Sequence, residues 1–247
     1  MIPYRVVCCT ALFTAVVGVA SARAACTNAD LIGPWGIEST QRAGHPGVGV
    51  AQLTFDGAGN VTGSVTASED GSIITGVLTG TYSLAKNCTG TVTLDFAGLG
   101  TSTASIVLHA GKKALEIITT EDGIVESAFG LPQGAITCGF TGKKETFASS
   151  LAGVVPGTGP VAGVGQFVLK GDGNLTGTIT FSNQGTLYKD VPVTGTYTEN
   201  ADCSGTATLS PSGFPPSHYS LAIVDTRKTI LIIQTDSGTV IAGTLQK

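Results

Sequence analysis

The stretch FDGAGNVTGSVT at residues 55–66, followed by TGTYSLAKNCTGTVT at 79–93, decides the fold. It returns as LKGDGNLTGTIT at 169–180 and TGTYTENADCSGTAT at 194–208. Gln52 corresponds to Gln166, Tyr82 to Tyr197 and Cys88 to Cys203. A repeat this far apart exceeds the about 20–50 residues of a solenoid or propeller unit, so the chain is a duplicated domain. Inside each copy, short alternating runs of Val, Ile, Leu and Thr are broken by glycine-rich turns, which is the pattern of antiparallel strands. Asp56-Gly57-Ala58-Gly59-Asn60 and Gly171-Asp172-Gly173-Asn174 offer the positive φ that tight hairpins require.

Working outward, the same pattern fills both halves, and helix signals are almost absent. Alternation places Leu53, Phe55, Val61, Val65, Leu78 and Tyr82 on one face, with Thr62, Ser64 and Thr66 on the other. Consecutive antiparallel strands with one apolar face must close or stack, and closure removes the exposed edges. The expected fold is therefore all-β: two tandem small antiparallel up-and-down β-barrels of about eight strands each, with β-sandwiches as the alternative. The expected division is a signal peptide over 1–24, a first barrel over 25–136 and a second over 137–247. Pro132, Pro156, Gly157 and Pro160 mark the junction, and each half is expected to fold by itself.

Arg5, the apolar run from Val6 to Ala20 and Ala22-Arg23-Ala24 read as a secretory signal cut after Ala24. The apolar run is too short to span a bilayer, and no later segment is long and apolar enough, so no membrane span is expected in the mature chain. Export to an oxidising compartment, periplasmic or extracellular, favours disulfides among Cys26, Cys88, Cys138 and Cys203. Four cysteines allow three pairings, and the repeat favours Cys26–Cys88 and Cys138–Cys203. Close cysteine pairs of the kind that hold zinc are absent. A formal net charge of −4 gives no electrostatic case for nucleic acid or an anionic membrane.

Gly33-Pro34-Trp35 resembles the G-x-W opening of lipocalins and other calycins. The wider pattern joins an initial Cys, F-D-G-x-G-N-x-x-G, T-G-T-Y, D/N-C-x-G-T and a last strand pair around T-D/E-x-G-x-V. It resembles a group of uncharacterised exported bacterial proteins with tandem lipocalin-like or allene-oxide-cyclase-like barrels. The resemblance covers most of both halves. It implies a calycin-like fold and an exported setting and carries no activity. The second half departs from it by lacking the Trp.

No catalytic residue, metal ligand or cofactor site is expected. His45, His109 and His218 show no metal-ligand spacing, no G-x-S-x-G elbow occurs, and no helix follows the glycine groups as a dinucleotide fingerprint demands. Asp56 with Asn60 offers too few oxygens for calcium. The inward polar residues are Tyr82, Tyr197, Thr119 and Gln234. The expected ligand, where a barrel is open, is a small apolar molecule at its mouth. The residues expected to meet it are Trp35, Phe55, Tyr82, Phe167 and Tyr197, the first barrel being favoured because Trp35 adds a large amphipathic surface. Otherwise these side chains close the cores completely. The expected function is that of an exported non-enzymatic protein binding a small apolar ligand or acting in surface interaction. The alternatives are an allene-oxide-cyclase-like isomerase and a structural matrix or adhesion protein.

Overall fold

Hairpin turns set the register. Asp56 Oδ1 accepts the backbone N–H of Ala58, Gly59 and Asn60, and its Oδ2 accepts the Asn60 amide at 2.6 Å. That lattice fixes the turn between two strands, with Gly57 and Gly59 both at positive φ. The computed structural model describes residues 25–247 apart from 44, 99, 110, 112, 135–137 and 141. The signal peptide at 1–24 and the boundary at 136/137 lie outside the described residues.

Eight strands form the first barrel: β1 (Gly33–Ala43), β2 (Gly47–Phe55), β3 (Asn60–Glu69), β4 (Ser72–Leu84), β5 (Thr89–Phe96), β6 (Gly100–His109), β7 (Ala114–Thr119) and β8 (Val125–Pro132). Eight more form the second: β9 (Glu145–Val155), β10 (Gly159–Leu169), β11 (Asn174–Asn183), β12 (Thr186–Glu199), β13 (Ser204–Pro211), β14 (Ser217–Val224), β15 (Thr229–Gln234) and β16 (Val240–Gln246). Each set is an antiparallel up-and-down meander closed by its last strand, β8 on β1 and β16 on β9. The chain is thus two closed eight-stranded barrels, and the sandwich alternative is set aside. Closure pairs every strand on both sides, which removes the edges an open sheet would expose.

Each barrel has its own apolar interior. A third apolar cluster lies between them. Val48 and Val50 point out of the first barrel and meet Ala222, Val224, Leu231 and Ile233 on the outside of the second. Gly36 belongs to the same contact: a Cβ there would lie 2.4 Å from Val224 Cγ1, so only glycine lets the two walls approach this closely. At the rim of the contact, Gly238 N donates to Gly71 O at 2.8 Å and the Ser68 hydroxyl donates to Thr239 O. Among the described residues no helix is long and apolar enough to cross a membrane.

Candidate functional site: the cavity of the first barrel

Because the strands run up and down, each barrel has two ends. At one end of the first barrel, residues 25–31 fold across the opening. The disulfide Cys26–Cys88 (Cα–Cα 5.0 Å) pins this segment, Leu31 is fully buried, and the Trp35 indole N–H donates to Leu31 O at 2.9 Å. Phe55 packs edge-on against both Trp35 and Tyr82. The Tyr82 hydroxyl donates to Asn28 O at 3.1 Å, and burial raises its pKa. The matching end of the second barrel is closed by residues 138–140 with 142 and 143. There Cys138–Cys203 (Cα–Cα 5.0 Å) is the pin, and Phe140 N donates to the Glu199 carboxylate. Burial raises the Glu199 pKa. Phe147 pairs with Phe167 as Trp35 pairs with Leu53, so Phe147 stands where the first barrel has its Trp. The two disulfides, Cys26–Cys88 and Cys138–Cys203, are the pairings the repeat favours.

Above this floor the two barrels differ. The first holds a cavity of about 390 Å³, open at the end away from the disulfide. Its base is apolar, formed by Phe55, Leu53, Leu78, Val92, Ile106 and Leu115. Its mouth is polar, with Ser39, Gln41, Thr119, Glu69, Glu121 and Glu126 among the lining residues. The void in the second barrel is about 40 Å³, room for little more than a water molecule.

The strand registers show why. Ser39 corresponds to Leu151, Ala67 to Phe181, Ala104 to Tyr219 and Glu126 to Ile241. Four interior positions that carry large apolar or aromatic side chains in the second barrel carry small or charged ones in the first. One difference cancels: Ile37 fills the space beside Gly130, while Leu245 fills it beside Ser149. Tyr219 is buried, its hydroxyl bonds Ser217, and burial pushes it up to about 12. The signal was present in the sequence as these differences between copies. It becomes legible once inward positions are compared strand by strand.

Among the expected ligand residues, only Phe55 lines the large cavity, and it does so from below. Trp35 and Tyr82 lie beneath it at the closed end, so they are not at a mouth. Phe167 and Tyr197 border only the small void of the second barrel. The inward Thr119 does line the cavity and donates to Glu126 Oε2 at 3.1 Å, while Gln234 donates to Asp236 in the second barrel. Sequence reasoning missed Ala104, Ser39 and Glu126. A separate polar crevice of about 250 Å³ runs between the barrels beside Gln52, Gln133 and Asp202. Asp56 spends its oxygens on its own turn, as described above, and among the described residues no group of three His, Cys, Asp or Glu is placed to hold a metal ion.

No protein-family model matches the chain, and no curated protein does. Solved structures similar to it include the isotype 1 transferrin binding protein B of serogroup B Neisseria meningitidis, at 6% identity and a TM-score of 0.36, with 82% of this chain and 64% of that one covered. The chain therefore spans less than two thirds of that protein. Intact Ap-TbpB, with its N and C lobes, is similar at 7% identity and a TM-score of 0.33, covering 86% of this chain and 75% of that one. Kievitone hydratase from Nectria haematococca follows at 10% identity and 0.26, covering 87% and 89%. The resemblance to exported bacterial proteins rests on the motif residues alone; the tandem barrels rest on the structure.

Proposed function

We propose that this is an exported, non-enzymatic binding protein whose first barrel takes up one small, largely apolar molecule through its open end. The observation that carries the reading is the cavity of about 390 Å³ in one barrel, set against the filled interior of its duplicate. Its volume falls within the roughly 300–1,000 Å³ of small-molecule sites, and its base of Leu, Ile, Val and Phe side chains favours an apolar body over a charged one. The second barrel acts as a packed partner that buttresses the outer wall of the first. Two disulfides suit an oxidising compartment.

The test is to make the first barrel like the second. Ser39→Leu with Ala104→Tyr copies Leu151 and Tyr219, and Ser102 stands where Ser217 bonds the Tyr219 hydroxyl. Titration with the neutral fluorescent probe N-phenyl-1-naphthylamine is expected to saturate at one site in the wild type. The double variant is expected to bind at least about tenfold more weakly while melting at the same or a higher temperature. Absence of saturation in the wild type, or undiminished binding in a well-folded variant, defeats the reading.

A further inference from the structure

We propose that the molecule entering the first barrel is a cationic amphiphile, with an amine or quaternary ammonium head held at the mouth and an apolar body below. The inference rests on the binding reading and goes beyond it by naming the ligand's head group.

Along β8, Glu126 shares the inward side with Ala128, which also lines the cavity, while the exposed Val125 and Ser127 point away. The same position in the second barrel is Ile241, buried in the core. In the first barrel the position is half-buried at the open mouth, where a carboxylate sets a negative charge beside the entrance in place of an apolar side chain. Its one described partner is the neutral Thr119 hydroxyl. Glu121 reaches the same cavity from the β7–β8 turn, with Oε1 accepting Thr103 N at 2.9 Å, and Glu69 lines it from the end of β3. No Lys, Arg or His is among the described residues lining the cavity. Among the described lining residues the mouth carries carboxylates on two sides, above an uncharged base.

The carboxylates are spread around the opening. As noted above, no three such groups come close enough for a metal ion, so a compact divalent cation is not what the rim fits. A diffuse monovalent head on an apolar body fits it. Phe96, at the end of β5, adds an aromatic side chain to the cavity wall, the partner that a quaternary ammonium favours. A fatty carboxylate would set its own charge against Glu126 and Glu121. A neutral alcohol would gain nothing from either charge.

The experiment uses the full mature chain and the N-phenyl-1-naphthylamine probe, displaced by three molecules that share one body: octyltrimethylammonium, octanol and octanoate. The ammonium is expected to displace the probe at about tenfold lower concentration than octanol, with octanoate weakest. The ammonium's advantage should shrink as salt rises, as a partly screened charge pair requires. In Glu126→Gln, the ammonium's advantage is expected to fall at least about threefold while octanol and the probe bind as before. Three results overturn the inference: octanoate matching or surpassing the ammonium, no salt dependence, or Glu126→Gln weakening all three molecules equally. Each of those leaves probe binding intact, so the cavity reading survives. Failure of the probe to bind at all removes the cavity reading as well, and the two failures are thereby told apart.

Discussion

Tyr82 and Tyr197 occupy one position of the repeat, and each hydroxyl accepts from the matching glycine of the neighbouring turn, Gly57 and Gly171. Tyr82 in addition donates to Asn28 O across the plug of the first barrel at 3.1 Å, while Gly171 N lies 3.0 Å from the Tyr197 hydroxyl. Both hydroxyls have their pKa raised by burial. Their inward direction was legible from strand alternation. Their depth was not, because alternation tells which face a side chain is on and nothing about its height along the barrel. Height depends on which segment folds over which end, and that is set by the disulfide and by residues 25–31. Tyr82→Phe is accordingly expected to lower stability by about 1 kcal/mol, the net contribution of one hydrogen bond. Probe binding in the first barrel should stay unchanged. Urea denaturation measures the first, and the probe titration measures the second. A loss of binding in step with the loss of the hydroxyl would move the ligand to the closed end.

The hairpin between β3 and β4 turns through Asp70-Gly71, and the one between β11 and β12 through Gln184-Gly185; all four residues have positive φ. That is the two-residue turn whose twist suits antiparallel strands. Asp tolerates the left-handed region because its short side chain bonds locally, and Gln does so less well. Gln184→Asn is therefore expected to stabilise the protein, by up to about 1 kcal/mol. Gln184→Val should destabilise it, and a matched pair of thermal melts decides. If both substitutions shift the melting temperature the same way, turn conformation is not what limits this hairpin. At this scale the sequence was informative: alternation and glycine turns marked the strands, and closure followed from the number of strands sharing one apolar face. The cavity escaped notice because it belongs to no single strand. Ser39, Ala67, Ala104 and Glu126 sit on β1, β3, β6 and β8, and each alone is an ordinary strand residue.

Between the barrels, the outward sides of β1 and β2 meet those of β14 and β15. The expectation of two self-sufficient halves overlooked this contact, although β15 carried its mark. Thr229–Gln234 reads TILIIQ, and every residue in it is buried, as befits a strand covered on both faces and not on one. Glu38 lies on this side of the first barrel. It follows Gly36 by two positions along β1 and pairs across with Val50, both of which pack against the second barrel. Its Oε2 is buried without a hydrogen-bond partner among the described residues, and desolvation raises its pKa from 4.5 to about 7. The unfolded chain releases the proton near 4.5, while the folded protein holds it until about pH 7. Folded Glu38 binds the extra proton in that window, so its contribution to stability is complete below about pH 4.5 and declines as pH rises toward 7. Above that it stays flat. The full decline is on the order of 3 kcal/mol at most. Glu38→Gln keeps the shape and removes the titration. Urea denaturation between pH 5 and pH 8 is expected to show the wild type losing stability relative to Glu38→Gln, with the difference levelling off near neutrality. Because the group lies between the barrels, the same rise in pH should also lower hydrogen-exchange protection, corrected for the intrinsic base-catalysed rate, in β2, β14 and β15 before it does so in the strands remote from the contact. Parallel pH profiles for the two proteins would mean that water or a neighbouring group already compensates this carboxylate, and that the contact between the barrels is indifferent to pH.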